Sequence, residues 1–561
     1  MLKSLLLATA LALPVAAAAQ NAAGPYLAAR IAGFGNDYAA AADYYARLLR
    51  APDVPVSAVE NAVIIYAALG RFDAAAAAAR RLEAMGQPSR FGGAAEMVEH
   101  LAAGEMDRAA ELIEADGVGG ALLDGLLRGW IAAARGDAEA GLAAFDTLAG
   151  TRGFAPFANL HAAYLMGATG DFAGAEGILS GADRGEIGLN TRGVAARAEA
   201  LSQLGRPDEA LEVLREANAA ANAPVLRDLE ARLEAGETLP WTAVPGPRDG
   251  MAEAYFTLAA VLAGETPATF TLINAQAALA LRPDHVDALV LAGELLAEQE
   301  QRELAAAVLG RVPADHPAFH AAEIARAEVL LGAGREDAAV EVLQGLSRDR
   351  PDDPQVWIAL GDVLRRLDRF PGAVSAYDRA IELQESIEAR DWFLFYARGI
   401  AHERTGRFDL AEPDLRRALE LNPGQPLVLN YLGYSLVEER VKLDEALDMI
   451  ERAVEARPDD GYITDSLGWV LYRLGRFEEA VEPMERAVQL RPLDPLINDH
   501  LGDVLWVVGR EREARFQWRR ALSLEPEDEA EVERIRRKLE IGLDRVLEEE
   551  GGVGPIEAAE D

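Results

Sequence analysis

The chain has no cysteine anywhere in its 561 residues. That excludes disulfides, thiol nucleophiles and cysteine-ligated metal centres. It also excludes a lipid anchor, which would need a modified cysteine at the mature N-terminus. Lysine is nearly absent, with Lys3, Lys442 and Lys538 alone against many arginines. Positive charge as a whole is scarce: 55 Lys+Arg stand against 93 Asp+Glu, a formal net charge of −38. Such a surface repels nucleic acid and anionic lipid headgroups, and it favours basic or neutral partners. Past the first twenty residues there is no run of about 20 apolar residues, the length a membrane-spanning helix needs.

Half of the residues are hydrophobic, too many for a disordered chain. The length exceeds what one compact core supports, so several domains or one long repeat array are expected. Residues 1–19 read as a signal peptide. Lys3 supplies the positive end, Leu5 to Ala16 the apolar run, and Ala17-Ala18-Ala19 the small residues before Gln20. The mature protein is expected to be exported to the periplasm.

The rest of the chain repeats. Pro283, Pro317 and Pro351 are 34 residues apart, as are Pro458, Pro492 and Pro526. Gly468 and Gly502, Ala480 and Ala514, and Ala487 and Ala521 keep the same interval. A fixed 34-residue period marks a solenoid of helix-turn-helix units. In the unit from Gly461 to Pro492, Leu467, Gly468 and Leu471 mark a first helix and Leu474-Gly475-Arg476-Phe477 the break. Ala480, Met484 and Ala487 follow at helical spacing on a second helix, and Pro492 ends it. Eight units begin near Ala252, Val286, His320, Pro354, Trp392, Pro426, Gly461 and Pro495, with insertions before Trp392 and near Val441.

Residues 20–221 repeat more weakly. Breaks recur at Asn36-Asp37-Tyr38, Gly70, Gly104, Gly136, Gly170 and Gly205, but Ala often replaces the large residues, so thin cores are expected. Residues 222–250 hold Pro224, Pro240, Pro245 and Pro247 and break the register. They are expected to form a short helix, then a hinge over Thr238 to Asp249 between two arms. The main array runs over 251–526. An amphipathic helix within 527–550, with Ile535, Leu539 and Leu543 on one face, is expected to cap it. Residues 551–561 read as an acidic tail.

The pattern Leu-Gly, Gly-x-aromatic, Ala, large residue, Ala and Pro resembles the tetratricopeptide repeat. The resemblance implies an all-α fold, a right-handed superhelical solenoid of antiparallel helix hairpins whose first helices line the concave surface. On that face the sequence places Phe393, Tyr396, Asn430, Tyr434, Tyr462, Asp465, Trp469, Tyr472, Asp499, Asp503 and Trp506. Aromatics interleaved with carboxylates suit recognition of protein segments. For any one aromatic the alternative is burial against a neighbouring first helix. Asp465, Asp499 and Asp503 stand where repeats that clamp a C-terminal carboxylate carry Lys and Asn, so that ligand is not expected.

Asn430-Tyr431-Leu432-Gly433-Tyr434-Ser435, Asp465-Ser466-Leu467-Gly468-Trp469 and Asn498-Asp499-His500-Leu501-Gly502-Asp503 resemble a group of proteobacterial envelope repeat proteins. Phe516-Gln517-Trp518 adds to this. The resemblance implies an adaptor that binds a periplasmic carboxyl-terminal processing protease and gathers its substrates. The chain lacks that adaptor's lipidated cysteine. A structural assembly factor for envelope components, with no protease link, is the other reading.

Catalytic chemistry has little to stand on. His316 and His320 straddle a unit boundary with Pro317 between them. His402-Glu403 lacks the second histidine of a metalloprotease helix, and no Gly-x-Ser-x-Gly elbow occurs. No enzyme activity, cofactor or metal is expected.

Overall fold

The computed structural model describes residues 13–551 apart from 36, 52–53, 88, 90, 116, 186 and 222. Most of the expected signal peptide, residues 1–12, and the acidic tail from 552 onward lie outside the described residues. Among the described residues there are thirty-one α-helices, one short 3-10 helix and no strand. None of these helices is long and apolar enough to cross a membrane. The chain divides into two compact units, Met1–Leu346 and Ser347–Asp561.

The second unit is the plainer one. Its hairpins are Pro354–Arg366 with Phe370–Leu383, Trp392–Arg404 with Phe408–Leu421, and Pro426–Glu438 with Leu443–Ala456. Gly461–Arg473 with Phe477–Leu490 and Pro495–Val507 with Glu511–Ser523 complete the series. Each period closes for the reasons its sequence suggests. Asp353, Asp460 and Asp494 accept from backbone amides at the starts of first helices, satisfying donors the helix leaves open. Gly475 and Gly509 end first helices with positive φ. Gly468 and Gly502 let the two helices touch, since a Cβ there would stand 2.6 Å from Met484 and 2.4 Å from Trp518. Ala480, Met484 and Ala487 are fully buried. The insertion before Trp392 forms the 3-10 turn Ala389–Asp391, and the one near Val441 is a turn with Arg440 and Lys442 at positive φ.

The expected single capping helix is two. Glu529–Ile541 ends at Gly542, whose φ of +86° breaks the helix, and Leu543–Glu549 folds back. Ile535 and Leu543 are buried against the last hairpin, and Val546 is buried as well.

The first unit holds hairpins beginning at Leu13, Val56, Gly92, Gly120, Ala155 and Thr191, the lone helix Pro224–Glu234, hairpins beginning at Pro247 and Val286, and the helix Phe319–Gly332. The short helix within 222–250 is present, but the segment after it is pinned rather than loose. Leu239 and Val244 are buried. Glu199 accepts from the backbone N–H of Thr242 and Ala243 at 2.8 and 3.1 Å. Ser202 and Gln203 bind Leu239 from both sides, and Arg192 and Arg282 donate to the Ala243 carbonyl. Pro224 and Pro247 stand at the first positions of helices, where no intrahelical donor is needed. The boundary between compact units falls at Leu346–Ser347 instead. Limited proteolysis of the native protein is therefore expected to spare 239–249. Early cleavage inside that segment, before any in the exposed loop at 234–238, would contradict this packing.

Candidate functional site

The four first helices starting at Trp392, Pro426, Gly461 and Pro495 are each 13 residues long, so their positions align one for one. Their second positions are Phe393, Leu427, Tyr462 and Leu496. Phe393 is 40% exposed, Tyr462 53% and Leu496 47%, and Leu427 is half-buried. Leu493, in the turn before Leu496, is more exposed still. The Arg491 guanidinium lies 4.9 Å from the Tyr462 ring centre, adding a cation to the row. Apolar residues thus occupy one repeated place on four successive hairpins and are exposed on three of them.

Deeper on the same helices the face closes. Tyr396, Asn430, Tyr434, Trp469 and Trp506 are half-buried. Tyr396 packs edge-on to Tyr431, whose hydroxyl donates to Glu403 at 2.8 Å. Trp469 stacks on Tyr472 and on His500, with ring centres 5.0 and 4.0 Å from its own. Burial alone would lower the His500 pKa, but the Asp465 carboxylate 3.0 Å away outweighs it and raises it. Arg473 donates to Glu438 on the preceding hairpin at 2.6 Å.

Four of the expected groove residues are therefore not on an open surface. Tyr472, Asp465, Asp499 and Asp503 are buried. The reason is that these helix positions meet the next helix in the array. Asp465 meets His500. Asp499 and Asp503 meet Lys538 of the cap, whose Nζ donates to them at 2.6 and 2.7 Å and which has no exposed surface. Asp503 also accepts from Trp518 Nε1 at 2.9 Å, and Arg534 stands 3.6 Å from it. Burial, with Asp503 alongside, raises the Asp499 pKa despite Lys538. These carboxylates are internal counter-charges and do not face a ligand. Trp506 is likewise held, its Nε1 donating to Asp544 at 3.2 Å.

Sequence reasoning missed Lys538. The available signal was its place, three residues after Ile535 on the apolar stripe of the cap and one of only three lysines in the chain. Among the described residues no three His, Asp or Glu side chains gather as a metal site. The His316 ring accepts from the backbone N–H of Ala318, a turn contact.

Comparison with known proteins fits the hairpins. The tetratricopeptide repeat profile matches residues 26–89, 324–386, 396–461 and 438–495. The TPR repeat-containing protein PA4667 of Pseudomonas aeruginosa is 32% identical over 161 residues, 28% of this chain and 26% of that protein. The cytochrome c-type biogenesis protein CycH of Rhizobium meliloti is 34% identical over 111 residues, 20% of this chain and 28% of that one. The chain thus spans about a quarter of the length of these relatives. Among solved structures, the hetero-tetramer Cut9-Hcn1 of the APC/C is 15% identical, covering 94% of this chain and 98% of that one, with a TM-score of 0.38. The hairpins within 26–89, 324–386 and 396–495 match tetratricopeptide repeats, a helical scaffold suited to binding proteins.

Proposed function

We propose that this chain is an exported, non-catalytic scaffold that captures other envelope proteins on the first-helix face of residues 392–507. The observation that supports this most is the row Phe393, Leu427, Tyr462 and Leu496, exposed at three of its four places and half-buried at Leu427. Solvent-facing apolar and aromatic side chains aligned over four repeats form a ready anchor strip for a segment laid across the hairpins. The net charge of −38 selects a basic or neutral segment and speeds its arrival. Tyr396, Asn430, Tyr434, Trp469 and Trp506 line the strip behind the anchors, while Asp465, Tyr472, Asp499 and Asp503 hold the hairpins in register.

The resemblance of the C-terminal repeats points to an adaptor that brings substrates to a carboxyl-terminal processing protease. The second reading, an assembly factor with no protease link, draws support from the similarity to a cytochrome c-type biogenesis protein. Titrating purified chain with such a protease separates the two. The adaptor reading expects saturable binding that Phe393→Ala or Tyr462→Ala weakens at least tenfold, about 1.4 kcal/mol. Both side chains are exposed, so helical content should not change. Glu479→Ala on an outward second helix should bind as the parent does. No binding at all removes the adaptor reading. Binding untouched by both alanines removes the anchor strip.

A further inference from the structure

The N-terminal repeats also have a first-helix face, and it is already occupied. Helix Pro247–Leu262 packs against Gly120–Ala134 and Ala155–Ala168. Its partner Ala268–Leu281 packs against Val56–Ala68 and Gly92–Ala103. All four receiving helices are the first helices of their hairpins. The seam is apolar for most of its length, with Ala252, Ala259, Leu272 and Ala275 buried in it, and a few polar and aromatic side chains are set into that packing. Trp130 Nε1 donates to His161 Nδ1 at 2.8 Å, and His161 Nε2 meets Thr257 Oγ1 at 3.1 Å. Arg192 grips the Glu253 carboxylate at 2.6 and 3.0 Å, and His285 Nε2 stands 3.1 Å from it. The Trp130 ring lies so close to Gly250 that a Cβ there would stand 2.2 Å from it, and Trp241 covers Gly167 in the same way. Aromatic anchors, an arginine gripping a carboxylate and buried hydrogen bonds are the composition of a recognition interface.

We propose that the inner face of the N-terminal repeats is a helix-binding groove whose ligand is residues 241–281 of the same chain, held in cis so that this face is closed to other helices until that segment leaves. A competitor would be an amphipathic helix with a small residue to lie on Trp130 and a carboxylate to reach Arg192. The short exposed tether at 234–238 keeps the internal ligand at high effective concentration. The groove is thus selective for segments that match this chemistry closely.

The test uses the full chain and a fluorescent peptide spanning residues 241–281. Parent protein should not take up the peptide at micromolar concentration. Gly250→Leu, which drives a side chain into the Trp130 ring, should bind it at least tenfold more tightly. Glu253→Gln weakens the Arg192 and His285 contacts without adding bulk and should show a smaller gain. It carries the test if Gly250→Leu loses helicity. Adding Arg192→Ala to either variant should abolish the gain. The proposal is overturned if folded variants bind the peptide no better than the parent, or if the parent already binds it as tightly.

Discussion

Replacing Lys538 by methionine is expected to undock the C-terminal cap. The substitution keeps the length of the side chain and removes the charge that Asp499 and Asp503 face in a site closed to water. Arg534 remains at 3.6–3.9 Å, and Trp518 Nε1 still donates to Asp503 at 2.9 Å. Removing one member of a buried ion pair typically costs about 3–5 kcal/mol, because the remaining charge has no partner. In a repeat array that loss stays local. Hydrogen exchange of 529–549 should therefore accelerate on the order of a hundredfold or more, as about 3 kcal/mol implies, while 354–456 is unchanged. Adding Asp499→Asn and Asp503→Asn should restore most of the protection, since neutral partners need no counter-charge. Unchanged exchange in the single variant would show that the cap is held by Ile535, Leu543 and Val546 alone.

Mild acid is expected to loosen the first unit. His161 is fully buried and accepts from Trp130, and burial lowers its pKa to about 4 from 6.5. The folded state thus excludes a proton that the unfolded chain takes up. The stability this neutral ring contributes is complete above about pH 6.5 and is lost as pH falls toward 4. The loss reaches about 2 kcal/mol by pH 5. His500 behaves oppositely: its raised pKa favours the folded state in acid and ceases to do so as pH rises through the folded value. Hydrogen exchange at pH 5 against pH 7, corrected for intrinsic rates, should show 120–168 and 247–262 losing protection while 461–507 holds. His161→Gln should remove most of the difference. Equal losses in both regions would contradict the assignment.

The repeat itself was legible because it is local. The 34-residue spacing, the break glycines and the Ala-large-Ala spacing act within one hairpin, and each does what its chemistry suggests. What lay between hairpins was not legible. Asp465, Asp499 and Asp503 occupy positions that read as groove, yet each faces whatever comes next in the array, and for two of them that is a lysine more than thirty residues onward. Pro240, Pro245 and Pro247 announce a break between helices, but whether such a segment swings free depends on Glu199 and Ser202, which reach it from an earlier hairpin. The alanines of the N-terminal repeats read as thin cores. In the structure they border a face that receives 247–281, a contact spanning a hundred residues and more that periodicity cannot show. Of the expected groove, Phe393 and Tyr462 kept their exposure, at the second position of their helices.

The central claim is that partners are captured on the first-helix row of residues 392–507. It is tested most directly by placing a photo-crosslinking amino acid at Tyr462, at Leu496 and at Phe516 in chain expressed in its native host cells. Phe516 is as exposed as Tyr462 but sits on a second helix. The account predicts discrete protein adducts from Tyr462 and Leu496, suppressed by Phe393→Ala, and none from Phe516. Adducts from Phe516 alone, or equal adducts from all three, would place the partner elsewhere on the chain.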